Sequence, residues 1–317
     1  MSEKLILSSS PHLHGKDSTH SIMRDVIIAM IPALIASVWM FGWRALVVEA
    51  VCVASCMAAE YLSCLVMKRP SSVGDLSCIV TGLLLAFNLP VSIPLWEAAF
   101  GSVVAIVVVK MMFGGIGCNF VNPALMGRIV LLGSFATDMN KWEAPRYVAD
   151  AVSSATPLEL MGNNGSIQPY TLTDLLLGNR SGSLGETCAV ALLLGCVYLL
   201  CRRVITPVIP AAFVGTVYLL SWLIMGDPTL ALYQILSGGL LLGAIFMATD
   251  YTTTPVTRWG HLIFGIGCGG ITVLIRQYGS LPEGVSFAIV LMNIITPYID
   301  RLTMPRVFGY KKKEAAK

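Results

Sequence analysis

The sequence predicts an all-α, polytopic membrane protein of about ten transmembrane helices in two inverted five-helix halves. Three observations lead there. The 317 residues are 56% hydrophobic and only 12% charged, with a mean hydropathy of +0.76, whereas soluble domains carry about 25% charged residues. Apolar runs recur at the length a helix needs to cross a hydrocarbon core of about 30 Å, roughly 20 residues. Short stretches of one half also return in the other: "TGLLLAFNLP" in the third run resembles "GGLLLGAIFM" in the eighth, and "VNPALMGRI" in the fifth resembles "SFAIVLMNI" in the tenth. Both matches pair run n with run n+5, and an odd number of crossings per unit inverts the second copy.

The runs span 23–42, 45–67, 76–93, 96–113, 122–137, 184–201, 205–225, 232–248, 259–277 and 283–303. The fifth is short and opens on Asn-Pro, which marks a broken or re-entrant segment. The chain divides into an N-terminal arm (1–22), a first membrane half (23–137), a polar loop (138–183), a second membrane half (184–303) and a basic tail (304–317). The arm is polar and lacks the apolar core and small-residue cleavage site of a signal peptide.

Positive charge sets the orientation, because cytoplasmic loops collect Lys and Arg. Lys4, Lys16, Arg24, Lys68, Arg69, Arg202, Arg203, Arg258, Arg301, Arg306, Lys311, Lys312, Lys313 and Lys317 fall on one side. Arg44, Lys141, Arg146, Arg180 and Arg276 fall on the other, so fourteen against five places both termini in the cytoplasm and 138–183 outside. Lys110 and Arg128 flank a glycine loop and are expected on the inner side. The nine cysteines show no CxxC spacing, and all but Cys118 sit in apolar runs, where a free Cys acts as a small hydrophobe. No catalytic acid, nucleophile or metal set emerges, and no feature points to nucleic acid.

Two inner loops are candidate binding sites. In "MMFGGIGCNFVNPALMGR", Gly114, Gly115 and Gly117 let the backbone take positive φ and admit a close surface. Asn119 and Asn122 then present amides suited to a planar ligand rich in carbonyls and ring nitrogens. The plainer alternative is a turn in which Asn caps a helix begun by Pro123. In "FMATDYTTTPVTRWGH", Asp250, Thr252 and Thr253 stand at a helix end; here the plainer alternative is a cap at Thr254 with Asp250 paired to Arg258. Glu49 and Glu60 lie in the second run, eleven residues and so about 20° apart around a helix. They could line an ion path or be paired and structural. Glu97 and Lys110, near the ends of the fourth run, read as interfacial anchors.

The polar loop carries "DAVSSATPLELM". Thr156-Pro157-Leu158-Glu159 has the form of a capping box, with hydroxyl at the N-cap, Pro at N1 and Glu at N3. The small residues Ser153, Ser154 and Ala155 behind Asp150 leave the Thr156 hydroxyl open to a large partner, and a helix N-terminus favours a phosphate.

"DAVSSATPL" resembles the flavinylation motif D-x-x-[ST]-[GS]-A-T, in which a transferase joins FMN to the threonine through a phosphoester. With the Gly/Asn loop, "SPHLHGKDSTHSIMRDVIIAMIPALI" and "LPEGVSFAIVLMNIITPYIDR", the chain resembles, nearly end to end, the NqrB/RnfD family of membrane proteins. Its members are the RnfD component of the Rnf ion-translocating ferredoxin:NAD oxidoreductase and the NqrB component of the sodium-pumping NADH:quinone reductase. The short N-terminal region favours the Rnf branch.

The resemblance implies a urea/ammonium-channel-like inverted repeat in a bacterial inner membrane and a translocase-type oxidoreductase component that carries electrons. It implies covalent FMN on Thr156, with Asp150, Ser153, Ser154 and Ala155 as its motif. It also implies a second, noncovalent flavin, riboflavin, toward the inner side near Asn119, Asn122, Asp250, Thr252 and Thr253. Implied partners are the A, B, C, E and G proteins of the Rnf complex, the FMN-bearing G protein above all, membrane lipid, ferredoxin and NAD reached through those proteins, and Na+ or H+ as the ion moved. The competing class is a passive solute channel, which the same repeat would suit.

A phosphatase or fluorescent reporter inserted near residue 165 tests the orientation. Extracytoplasmic activity is expected; a cytoplasmic signal reverses the assignment.

Overall fold

A computed structural model describes residues 18–145, 156–164, 170–279 and 283–305. The regular structure among them is helical. Ser18 caps α1 (Thr19–Phe41): Ser21 N donates to Ser18 Oγ at 3.2 Å and Ser18 N to Ser21 Oγ at 2.9 Å. Gly42, at φ 80°, turns the chain into α2 (Trp43–Val66), a conformation that suits a residue without Cβ. After a 3₁₀ turn come α3 (Ser77–Phe87) and α4 (Leu95–Val103), which continues as a π-helix from Val104 to Met111. Its end is closed by Met112 N donating five residues back to Val107 O.

α5 (Pro123–Ser134) and α6 (Ala136–Met139) complete the first half, and α7 (Pro157–Asn164) and α8 (Leu172–Leu177) lie between the halves. The second half is α9 (Ala189–Cys201), α10 (Val208–Met225), α11 (Pro228–Leu236), α12 (Leu240–Leu242) with a π-helical extension Gly243–Met247, α13 (Arg258–Tyr278) and α14 (Val285–Thr303). Side chains such as Trp39, Trp43, Leu65, Leu223 and Leu302 point outward, as on a surface whose solvent is lipid.

Among the described residues five helices, α1, α2, α10, α13 and α14, are long and apolar enough to cross a membrane. α11 and the α12 rod, bent by 67° at their junction, would make a sixth. α3, α5 and α9 have 11, 12 and 13 residues, which at 1.5 Å per residue is about 16 to 20 Å. The chain is therefore a multi-pass membrane protein in which several apolar runs are half-length helices.

This corrects three expected boundaries. The third run, expected to reach residue 93, stops at Phe87 because Asn88 Nδ2 turns back onto Leu84 O at 2.6 Å, and Leu89-Pro90 follows with one N–H missing. The sixth begins at Ala189 rather than 184, because the backbone just before it is used elsewhere: Gly185 N donates to Phe87 O at 2.9 Å and Leu184 N to Leu89 O at 3.0 Å. Non-helical backbone inside a membrane protein must be satisfied by protein, and here each half satisfies the other. The eighth run is broken at Ser237–Gly239.

The two halves repeat their packing with the offset read in the sequence. α2 packs on α3 and on the α4 rod, that rod packs on α5, and α3 touches α5. α10 packs likewise on α11 and α13, α13 on α14, and the Gly243–Met247 segment touches α14. The halves meet through α1 with α9 and α5 with α14, each helix facing its own counterpart. Loops sort into two ends. At one, Arg69 Nη1 reaches Gly114 O, Arg202 pairs with Asp25, and Tyr251 Oη donates to Val204 O. At the other, Arg44 binds Val91 O and Ser92 Oγ donates to Lys141 O.

Gly195 sets the distance between α1 and α9: a Cβ there would lie 2.3 Å from Ala29 O and 2.8 Å from Phe246 Cζ. Gly195→Val is expected to lower stability in detergent by about 1 to 3 kcal/mol, the usual range for overpacking. Gly215→Ala, inside α10 with nothing within 4 Å of its Cβ, should not lower stability and is expected to raise it by up to about 1 kcal/mol.

Candidate functional site

The two candidate inner loops come together at the glycine-loop end. Asn119 and Asn122 approach Asp250 and Thr252 across the halves: Thr252 Oγ1 donates to Asp250 Oδ2 at 3.0 Å and lies 3.2 Å from Asn119 Oδ1. Asn122 divides its amide between two tasks. Oδ1 caps α5 by accepting from Ala124 N (3.0 Å) and Leu125 N (3.3 Å), and Nδ2 donates to Met247 O at 3.3 Å. Capping and site geometry thus coexist in one residue. Burial raises the Asp250 carboxyl above its ordinary range, opposed by hydrogen bonds from Thr252 and its neighbours.

A cavity of about 380 Å³ opens here, lined by Asn119, Asn122, Asp250, Thr252, Lys110 and Ser77 among others. Ile22, Val26, Val80, Leu84 and Phe246 supply its apolar faces. That volume lies in the range of small-molecule sites, about 300 to 1,000 Å³. Thr253 is close by but does not line the cavity; its carbonyl accepts from Thr296 Oγ1 at 3.0 Å. The alternative of a cap at Thr254 does not hold: Thr257 caps α13 through Gly260 N, while Thr254 Oγ1 donates to Asp250 O.

At the other end Thr156 is buried, 8% exposed, and makes the capping box read in the sequence. Thr156 N donates to Glu159 Oε2 at 3.0 Å, and Glu159 N to Thr156 Oγ1 at 3.3 Å. α7 rests on α11, with Leu158 and Met161 against Tyr170, Leu230 and Tyr233. The hydroxyl keeps its own hydrogen and a second lone pair beyond the cap, so the cap does not exhaust it as an acceptor of a phosphoryl group. Asp150, Ser153, Ser154 and Ala155 lie outside the described residues.

Beneath α7 is a buried ionic group that the sequence alone does not announce. Arg128 Nη1 donates to Asn88 Oδ1 (3.0 Å) and Ser286 Oγ (2.9 Å), and Nη2 pairs with Glu283. Arg276 binds Gln234 O (2.7 Å) and Ser237 O (3.3 Å), and Arg180 binds the carbonyls of Glu186 and Thr187. Arg128 therefore belongs to the α7 end, not to the glycine loop; it lies six residues along α5 from Asn122, about 9 Å. Only Arg180, Glu186 and Glu283 had a signal, as charged residues in the short polar joints "NRSGSLGET" and "LPEG"; Arg128 and Arg276 lie within apolar runs and had none.

Glu49 and Glu60 share the buried side of α2 but have separate partners. Glu49 Oε1 accepts from Ser37 Oγ at 2.5 Å, and its Oε2 has no partner among the described residues. Glu60 accepts from Lys110 Nζ at 2.5 Å and Ser72 Oγ at 2.5 Å, and Lys110 also reaches Ser77 Oγ at 2.8 Å. Lys110 and Glu97, expected as interfacial anchors, are both buried. Position along a run does not reveal which way a side chain faces.

The helix count, the two polar ends and the buried charges define a membrane protein with internal polar sites rather than a lipid-anchored domain. The sequence profile of the NQR2, RnfD, RnfE family matches residues 6–309, and the chain belongs to that family. Its relatives include D components of ion-translocating complexes from three bacteria. The chain is 47% identical to that of the Na(+)-translocating ferredoxin:NAD(+) oxidoreductase complex of Acetobacterium woodii, over 98% of each chain. It is 38% identical to that of the proton-translocating ferredoxin:NAD(+) oxidoreductase complex of Clostridium ljungdahlii, over 96% of each. It is 35% identical to that of the ion-translocating oxidoreductase complex of Escherichia coli, over 96% of this chain and 99% of the other.

Removing one partner of a buried ion pair strands the other charge, at a cost of about 3 to 5 kcal/mol. Glu60→Gln is expected to lower stability by that order, and Glu60→Gln with Lys110→Met to recover most of it. Thermal unfolding of the two variants in detergent checks this; equal losses would show that the pair is not coupled.

Proposed function

We propose that this chain is the membrane electron-transfer component of an ion-translocating ferredoxin:NAD(+) oxidoreductase, a complex built with the other Rnf proteins, among them A, B, C, E and G. It carries FMN on the Thr156 hydroxyl through a phosphoester and a second flavin, riboflavin, held noncovalently in the cavity at Asn119, Asn122, Asp250 and Thr252. The arrangement is ten membrane segments in two inverted halves, with both termini cytoplasmic and Thr156 toward the outside of the bacterial inner membrane. Na+ or H+ is the ion moved; the relatives' names include one of each.

The observation that carries this reading is the pairing of a helix-capping hydroxyl at one end with a largely apolar cavity edged by Asn119, Asn122, Asp250 and Thr252 at the other, separated by short helices. α14 runs antiparallel to α5, joining Ser286 to Arg128 at one end and Asn293 to Asn122 at the other. α12 and its extension run from Gly239 beside Arg128 to Met247 at Asn122. About two turns of helix lie between the ionic group and the cavity. The isoalloxazine would supply the redox chemistry; the protein holds it, shields it from water and sets its surroundings. A passive channel of the same architecture would use the Thr156 hydroxyl as a helix cap, but has no need of the flavinylation-like run of small residues that precedes it.

Flavin fluorescence in a denaturing gel tests the covalent site, with the chain made alongside its flavin transferase. Thr156→Asn preserves an N-cap but lacks the hydroxyl, so the wild-type band is expected to glow and the variant band to be dark. A dark wild-type band, or a bright variant, overturns the assignment. For the second site, Asn119→Leu is expected to reduce the flavin released by acid several-fold while leaving the fluorescent band intact.

A further inference from the structure

At the break between α11 and α12 the buried polar atoms outnumber their bonds. Glu186 is 3% exposed, and among the described residues its Oε2 has no hydrogen-bond partner. Among the same residues the buried hydroxyls of Thr187 and Ser237 also have no hydrogen-bond partner, and the Ser183 hydroxyl lies against the Glu186 carboxyl. Backbone holds the carboxyl on two sides: a Cβ at Gly182 would lie 2.9 Å from Oε1, and one at Gly239 3.2 Å from Oε2.

Charged groups face Glu186 from every side. They are Arg128 of α5, Arg180 of the same connection, Arg276 of α13 and Glu283 ahead of α14, with Tyr170 facing Arg180. Three guanidiniums against two carboxylates leave one net positive charge with Glu186 ionised and two with it protonated. Burial favours the neutral acid and the arginines favour the carboxylate. Burial is the larger effect, and Glu283 adds to it, so the acid lies above the usual carboxylate range. A neutral carboxyl also gains an O–H donor that an unpartnered hydroxyl can accept. A carboxyl held between opposing influences of burial and three guanidiniums responds to a further charge nearby.

Such a charge has a place at Thr156. Leu158, two residues on, and Arg276 meet at Gly238, whose Cβ position is 3.4 Å from Leu158 Cδ1 and 3.0 Å from Arg276 Nη2. We propose that Glu186 is a proton-binding site whose occupancy follows the charge held at Thr156. This rests on the flavin assigned to that threonine. When one electron arrives there from a reduced flavoprotein donor, Glu186 takes one proton from the medium, carboxylate becoming carboxylic acid. When the electron leaves to the next acceptor the proton is returned, and no covalent bond to carbon is made or broken at Glu186.

Redox-difference infrared spectroscopy of the purified full chain reads this directly. Chemical reduction is expected to raise a protonated-carboxyl C=O band that shifts in D2O, to lose it in Glu186→Gln, and to retain it in exposed Glu143→Gln. A band unchanged by Glu186→Gln, or none in flavin-bearing wild type, overturns the proposal. Gly239→Ala, which presses on Oε2 without removing the acid, should displace the pH at which the band titrates; an unmoved midpoint counts against it. In Thr156→Asn the redox-linked band should vanish while a pH-titrated band persists. A protein without covalent flavin thus refutes the functional reading, whereas a missing pH-titrated band refutes the role of Glu186.

Discussion

The guanidinium of Arg128 is the tie on which the centre of the molecule depends. It rises from α5 and is bound by Asn88 after α3, by Ser286 of α14 and by Glu283 ahead of it, so one side chain joins segments of both halves. An ion of that size inside a membrane protein is tolerable only when its donors are matched. Each partner stands at a helix end or next to one. The half-length helices and the buried ionic group are therefore a single solution: helices that stop midway expose polar backbone and side chains, and Arg128 gathers them.

Asn88 shows how the tie is transmitted. Its oxygen accepts from Arg128, its nitrogen donates to Leu84 O, and it approaches Met247 Sδ at 3.6 Å. Leu84 lines the cavity, so Asn88 bonds both the ionic group and a residue of the far site. The backbone pairing of residues 87 and 89 with 184 and 185 fixes the same region from the other half. Rigidity at this crossing suits sites that must keep fixed separation and orientation.

Much of this was legible in the chain and some was not, for reasons particular residues make plain. Long lipid-facing helices such as α1, α2 and α13 announce themselves because hydropathy averages over a whole run. The caps at Asn122 and Thr156 are equally readable, since capping depends on residues at most three positions apart. Partners distant in sequence stay hidden: Lys110 finds Glu60 fifty positions away, and Arg128 finds Glu283 across the halves. Neither charge could be distinguished from an interfacial one by its place in a run. The break at Asn88 was missed because Leu89, Val91 and Ile93 beyond it are as apolar as a helix, and only backbone partners reveal that they are not helical; the break at Ser237 was missed because helix resumes at Leu240 and the apolar run continues across it.

Gly238 and Gly239 are adjacent, yet they are glycines for different reasons. Gly238 has φ 68°, where a side chain is strained. Gly239 has φ −75°, which any residue can adopt; what it lacks is room, because a Cβ would lie 3.2 Å from Glu186 Oε2, with Arg128 Nη1 in ordinary contact behind it at 3.8 Å. The composition of that joint is thus dictated half by chain geometry and half by the space two opposite charges need to stay near each other without touching. A substitution there would act as an electrostatic mutation even though it introduces no charge.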